Sequence, residues 1–156
     1  MARGTHIWVH ATPTISTGIY AAGDAVGGLM TFTNALVKAS FSGLLRAAVI
    51  RDKDSEAGVL ALTLFKANPT LSTFTDNSPI VIHDSDIAKI IGVVAFAAAD
   101  YVAYSASSLA TKLLTGLPIQ LDEAGRDIYG SLHLISGTPT YTATSDISVS
   151  LGILQE

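Results

Sequence analysis

Apolar and polar residues alternate along most of this chain, and a period of two is typical of β-strands with one buried face. The alternation is clearest in residues 146–153, where four aliphatic side chains share one face: Ile147, Val149, Leu151 and Ile153. Serine and glycine lie between them. The pattern predicts that residues 146–153 form a half-buried antiparallel strand.

Two hairpins are predicted where turn-forming residues separate neighbouring strands. Residues 117–121 alternate, and after an Asp-Glu-Ala-Gly turn the alternation resumes at residues 128–135. Residues 44–51 and 59–65 are likewise separated by a charged loop that ends in glycine. Both strands of this second hairpin are apolar on both faces, so we expect them in the middle of a sheet or beneath a partner.

One short helix is predicted among further strands. Capping by Asp84 or Ser85 would begin it, and Gly92 would end it. Its apolar stripe would consist of Ile87, Ile90 and Ile91. The further strands are expected at residues 5–11, 29–32, 80–82, 93–98 and 101–104.

Together these elements predict an all-β fold with one short helix. Many short strands separated by turns are typical of a two-sheet antiparallel sandwich, and a jelly-roll-like topology is the preferred arrangement. With 156 residues the chain has material for one domain, so residues 1–156 are interpreted as a single β-sandwich domain.

The first predicted strand carries the candidate binding residues. Alternation places Ile7 and Val9 on one face and His6, Trp8 and His10 on the other. If the aliphatic pair faces the core, the only tryptophan of the chain points outward, where tryptophan often anchors protein interfaces. A strand that is buried on both faces would instead place Trp8 in the core.

Composition narrows the classes of partner. Hydrophobic residues make up 49% of the chain and charged residues 14%, and the net charge is −4. An acidic balance argues against nucleic acid as a partner, since nucleic-acid binding depends on clustered cations. The longest apolar run, residues 90–99, is about half of the ~20 residues needed to span a membrane, and the first residues contain no signal-peptide core. The apolar excess therefore favours a subunit interface.

Two acidic clusters could suggest a metal site. Asp52, Asp54 and Glu56 alternate as in a calcium loop, but the twelfth position is Thr63 where an EF-hand requires glutamate. The second cluster consists of His83, Asp84 and Asp86, with Asp76. Helix capping explains most of the second cluster.

Catalysis is not predicted either. His6 and His10 would lie about 13 Å apart on one strand, which is too far to share a metal ion. No motif of an activated nucleophile is present, and cysteine is absent. The sequence therefore predicts no enzymatic activity, no metal and no cofactor, and the weak metal patterns above are the only enzymatic alternative.

The order of short motifs resembles that of small virion proteins encoded by tailed bacteriophages, the jelly-roll capsid cement or decoration proteins. The resemblance covers most of the chain from Tyr20 onward, and its motifs are turn and strand residues. The segments that carry it are residues 20–24 (YAAGD), 32–35 (FTNA), 42–45 (SGLL), 64–70 (LFKANPT), 75–78 (TDNS), 127–130 (DIYG) and 139–141 (PTY).

This resemblance implies a protein that binds the outer surface of an HK97-type capsid and stabilises contacts between neighbouring major capsid proteins. It would be assembled in the host cytoplasm and located on the virion. A carbohydrate- or receptor-binding jelly-roll module of a phage tail fibre is the alternative. We also expect a homo-oligomer, most simply a dimer, because the apolar strands at residues 44–51 and 59–65 would otherwise expose a sheet face.

Overall fold

The computed structural model describes residues 4–37, 42–121 and 125–155. Within these residues the chain forms nine strands, one α-helix and one 3-10 turn, Ala98–Asp100. The elements are β1 (Thr5–Ala11), β2 (Met30–Phe32), β3 (Ser42–Asp52), β4 (Val59–Phe65), α1 (Asp84–Ile87), β5 (Ile90–Phe96), β6 (Tyr101–Tyr104), β7 (Ser107–Gln120), β8 (Ile128–Ser136) and β9 (Ile147–Gln155).

The strands form two antiparallel sheets. One has five strands in the order β1-β9-β3-β7-β6, and the other has four in the order β2-β8-β4-β5. Without the edge strand β6, each sheet has four strands, and the chain passes from one sheet to the other between most consecutive strands. This is the strand order of a jelly roll, so the predicted fold class is confirmed.

The core lies between the two sheets. Alternate residues of β4, Leu60, Leu62 and Leu64, face alternate residues of β3 and β9 across it, and all of them are buried. Because side chains alternate along a strand, the intervening residues of each strand point to the outside of the sandwich. The two outer faces differ, and that difference determines where a partner can bind.

Most of the predicted strands are confirmed. The structure has strands at Thr5–Ala11, Met30–Phe32, Ile90–Phe96, Tyr101–Tyr104 and Ile147–Gln155. The prediction at residues 80–82 is wrong, since Val81 forms only an isolated bridge with Thr73. That segment belongs to a long connection whose hydrogen bonds go largely to other loops and side chains.

Both predicted hairpins are wrong. β3 and β4 lie in opposite sheets, and β7 and β8 do as well. β3 pairs with β9 and β7, and β4 pairs with β8 and β5, so each of these two strands is central, as predicted. A short loop can cross the sandwich as readily as it can close a hairpin, and adjacency in sequence does not distinguish the two. The turn predicted at residues 122–125 lies largely outside the described residues.

The helix is shorter than predicted. It spans Asp84–Ile87, and its N-cap is His83, whose side chain accepts a hydrogen bond from Ser85 N, so the predicted Asp84 or Ser85 cap is wrong. Ile90 and the residue after it belong to β5, because Ile90 pairs with the end of β4. No helix within the described residues is long and apolar enough to cross a membrane.

Candidate interaction surface

The outer face of the five-stranded sheet is a continuous surface whose rows are fixed by strand register. One row crosses four strands in the order Trp8, Gly152, Ala47 and Leu113. Three strand spacings separate its ends, about 14 Å. We call the outward-facing residues of this sheet the outer-face patch: His6, Trp8, His10, Leu44, Arg46, Ala47, Val49, Arg51, Val102, Tyr104, Leu109, Thr111, Leu113, Pro118, Ser148, Ser150, Gly152 and Leu154.

Trp8 is the largest side chain of the outer-face patch. Val9 beside it is buried in the core, whereas Trp8 is 53% exposed, so the sequence-based alternative that places Trp8 in the core is wrong. The indole lies across Gly152 of the neighbouring strand: a Cβ at that glycine would lie only 3.0–3.2 Å from three indole carbons. The absence of a side chain at Gly152 therefore lets the ring lie on the sheet while its outer surface stays open.

The two histidines predicted as binding residues flank Trp8 on the same strand, and both are exposed. His10 Nδ1 lies 2.6 Å from the hydroxyl oxygen of Ser150, which is itself buried. Arg51 of β3 donates a hydrogen bond to the same oxygen. The orientation of His6, Trp8 and His10 thus agrees with the alternation, and their role in binding stays a prediction.

Other exposed apolar residues of the patch are not apparent from the sequence. Leu113 is 81% exposed, and Val102 and Tyr104 are each 56% exposed. They lie on β7 and β6, at the opposite side of the sheet from Trp8. Residues 107–114 carry apolar side chains on both faces, so alternation alone does not show which face is open. The exposure of Leu113 is visible only once β7 is paired with β3.

The outer face of the four-stranded sheet is covered along β4 and the middle of β8, whereas its edge strand β5 is open at Val93, which faces outward beside Thr63 and is 56% exposed. The outward-facing residues Ala61, Thr63, Phe65 and Ser131 of β4 and β8 are buried. Phe65 makes an edge-to-face contact with Phe74, with ring centroids 5.7 Å apart. Phe74 belongs to residues 66–83, which we call the covering segment. The predicted dimer therefore cannot rest on the apolar outer face of β4, and it stays a prediction.

One edge of the four-stranded sheet is closed as well. Beyond β2, the connection from β1 continues the pairing along β8: Val26 N donates to Leu132 O, and Leu134 N donates to Asp24 O. Ala25 N donates in turn to Ser78 O of the covering segment. The two long connections therefore form hydrogen bonds to the sheet and to each other.

Asp76 joins these two connections. Its carboxylate accepts hydrogen bonds from Ser16 N at 2.7 Å, from Tyr20 Oη at 2.6 Å and from Gly27 N at 2.6 Å. Burial, together with the hydrogen bond to Asp76, raises the pKa of Tyr20 to about 12, so the phenol stays a proton donor. Asp76 is thus occupied in a structural role.

The first acidic cluster also stabilises loops. Asp52 accepts hydrogen bonds from the backbone N–H groups of Asp54 and Ala57, which turns the β3–β4 loop back on itself. Asp54 and Glu56 accept from the backbone N–H groups of Thr142 and Thr140 in the β8–β9 connection. Burial raises the pKa of Asp52, whereas the hydrogen bond from Thr142 lowers the pKa of Asp54.

The second acidic cluster is dispersed in the fold. Asp86 is fully buried and accepts hydrogen bonds from Leu71 N and Ser72 Oγ, and its other oxygen lies 2.7 Å from Lys89 Nζ. Burial raises its pKa, but the contacts with Lys89, Ser72 and Leu71 outweigh burial and lower the pKa to about 2. Among the described residues, no group of three or more histidines and carboxylates is placed to hold a metal ion.

Comparisons with known proteins add little to this geometry. No protein-family model matches the chain, and no curated protein sequence matches it. A chain from the X-ray structure of tomato aspermy virus aligns with a TM-score of 0.43 at 6% identity, and the alignment covers 99% of this chain and 78% of that chain. A similarity of this size bears neither on fold nor on function, so the jelly-roll assignment rests on the strand order described above.

Proposed function

We propose that this chain is a virion structural protein, a cement or decoration protein that binds the outside of an HK97-type capsid of a tailed bacteriophage. The resemblance in the order of its turn and strand motifs supports the family. The outer-face patch supports a binding role and is the observation that carries the proposal. The protein would be located on the capsid surface after assembly in the host cytoplasm, and its partner would be the major capsid protein.

The binding surface would be the outer-face patch because the chain leaves this face open while it covers the central strand β4 of the other face. Contiguous exposed apolar surface on a soluble protein usually marks a site of interaction. Here Trp8 and Leu113 stand on either side of smaller residues, Gly152 and Ala47, in one row of the sheet. The side chains of Trp8 and Leu113 project further from the sheet than Gly152 and Ala47 between them. They can therefore insert into two separate pockets of a partner surface.

Trp8 would supply the main anchor. It buries a large area with few rotatable bonds and keeps one N–H donor for a partner. Its position over Gly152 holds the ring before binding, so less side-chain freedom is lost in the complex. His6 and His10 would contact the shell at the margin of this anchor.

The proposal is tested with purified shells of the phage that encodes the chain, from which the protein has been omitted. Wild-type protein should co-sediment with these shells. Leu113→Asp places a charge in the apolar row of the proposed contact and should reduce affinity at least 30-fold, the effect expected for the loss of ~2 kcal/mol or more.

Leu71→Asp is the matched control. Leu71 is 58% exposed but lies on the covering segment, away from the outer-face patch. This variant should bind shells as wild type does. Failure of the wild-type protein to bind shells would contradict the proposed function, and equal binding by all three proteins would contradict the assignment of the surface.

A further inference from the structure

The ionisable side chains of the outer-face patch are all basic. Its ionisable side chains are Arg46, Arg51, His6 and His10, and none of the outward-facing residues described on this sheet is aspartate or glutamate. The whole chain nevertheless has 13 acidic residues against 9 basic ones. The described outward-facing residues of this sheet therefore carry no carboxylate although the chain as a whole is acidic.

Two of these side chains meet at a single buried hydroxyl. Arg51 of β3 donates to Ser150 Oγ of β9, and His10 Nδ1 of β1 lies 2.6 Å from the same oxygen. Arginine can only donate, so Ser150 Oγ is the acceptor in its hydrogen bond with Arg51. Ser150 thus holds two exposed donor groups from different strands beside each other.

Most of the donor capacity of this pair is unused. A guanidinium has five N–H donors, and Ser150 takes one of those of Arg51. No other hydrogen bond or ion pair of Arg51 occurs among the described residues. An arginine held on a sheet with its remaining donors unpaired is suited to a carboxylate, which accepts two parallel N–H donors at once.

We propose that Arg51 and His10, held by Ser150, form a receptor for the carboxylate of an aspartate or glutamate on the partner protein. This inference rests on the proposed function, in which the outer-face patch contacts the shell. It assigns the chemistry of the complementary surface: an apolar area that receives Trp8 and Leu113, with at least one acidic side chain opposite Arg51.

A second copy of this chain does not meet that requirement. Two patches brought face to face would place no carboxylate opposite Arg51 at any rotation, because no described residue of the patch is aspartate or glutamate. Like charges in direct opposition disfavour an interface. The phosphates of a nucleic acid could accept hydrogen bonds from the arginines. The apolar row between Trp8 and Leu113 has no charged group that would bind further phosphates.

The test measures shell binding for variants that differ in one charge. Arg51→Glu should lower affinity at least 100-fold, and Arg51→Gln, which keeps part of the hydrogen bonding, about tenfold. Arg126→Glu is the matched control: Arg126 is exposed, donates to Val37 O and lies outside the five-stranded sheet, so its charge reversal should change affinity less than twofold. The melting temperature of each free variant is measured beside its affinity.

The salt dependence of shell binding, compared between wild type and the Arg51 variants, tests the carboxylate receptor separately from the proposed function. Wild-type affinity should fall as NaCl rises from 50 to 300 mM, and Arg51→Gln should show a smaller fall. If wild type binds and Arg51→Glu binds equally well, the carboxylate receptor is wrong while the proposed function stands. If wild type does not bind shells at either salt concentration, the proposed function itself fails.

Two further outcomes would overturn the inference, because each would show that a different molecule binds the outer-face patch. A dimer in sedimentation velocity that Trp8→Ala abolishes would identify a second copy on the patch. Binding of a short single-stranded DNA that Arg51→Glu abolishes would identify a nucleic acid.

Discussion

The two outer faces of this sandwich are formed by similar strands but differ in exposure to solvent. On the four-stranded sheet, Phe65 is fully buried beneath Phe74 of the covering segment. On the five-stranded sheet, Trp8 and Leu113 are 53% and 81% exposed. Both faces carry apolar side chains, so composition does not distinguish them. The long connections of the chain distinguish the faces, because the covering segment crosses the outer face of the four-stranded sheet and not that of the five-stranded sheet.

This contrast separates stability from recognition. The covered face contributes to folding, since its apolar area is removed from water within the chain itself. The open face gains that contribution only when a partner covers it. Substitutions on the covered face should therefore change the free energy of unfolding, and substitutions on the outer-face patch should change binding with little effect on unfolding.

The largest loss of stability is expected from Asp76→Ala. The change removes the acceptor of three hydrogen bonds, from Ser16 N, Tyr20 Oη and Gly27 N, and only Ser16 N keeps a second acceptor, Tyr20 Oη. We expect a loss of about 3–5 kcal/mol, measured by urea unfolding. Asp84→Ala is the control: Asp84 is exposed at α1, and its loss should cost within about 0.5 kcal/mol. Equal costs for the two variants would contradict the role of Asp76.

The next effect is expected in acid. The folded state lowers the pKa of Asp86 to about 2, below its ordinary value of 3.8. Stability from this group is therefore fully present above pH 3.8 and is lost as the pH falls towards 2. Melting temperatures of wild type and Asp86→Asn should converge over this interval. Parallel curves from pH 5 to pH 2 would show that Asp86 does not anchor the covering segment through its charge.

Phe74→Ala should have a smaller effect at neutral pH. It removes the ring that covers Phe65, and we expect a loss of about 2 kcal/mol in the free energy of unfolding. Binding to shells should be unchanged once the protein is folded, because Phe74 lies on the other side of the sandwich. A selective loss of shell binding would reverse the assignment of the two faces.

The smallest change in stability among these is expected from Gly152→Ala, about 1 kcal/mol or less. The new methyl group would displace the far end of the indole of Trp8, which can shift towards solvent because Trp8 is 53% exposed. Trp8 is the only tryptophan, so its fluorescence reports this displacement directly. An unchanged emission spectrum would show that the ring does not lie on Gly152 in solution. Ala47→Gly, one strand further along the same row, serves as the comparison.

Sequence periodicity predicted the orientation of the first strand because β1 is an edge strand with one buried face. Ile7 and Val9 lie on the face of β1 that packs against the core, and Trp8 lies on the opposite face. The same reasoning failed for β3 and β4. Their two apolar faces correctly indicated central strands, but the partners of β3 are β7 and β9, which lie far away in sequence.

The sequence did not predict which outer face of the sandwich is covered by the rest of the chain. Phe65 and Leu113 both lie on outer faces next to apolar neighbours, and neither local sequence pattern shows that Phe74 covers Phe65 while Leu113 stays exposed. The convergence of His10, Arg51 and Ser150 has the same cause, since these residues are separated by up to 140 positions and meet through strand order. Such contacts follow from topology, which local pattern does not specify.

Trp8→Ala, measured in two ways, tests whether Trp8 serves recognition and not folding. The free energy of unfolding in urea should change by about 1 kcal/mol or less, because Trp8 is more than half exposed. Affinity of the folded variant for shells should fall at least 30-fold. A loss of ~3–5 kcal/mol in the free energy of unfolding, with unchanged binding per folded molecule, would instead assign Trp8 to the folded core.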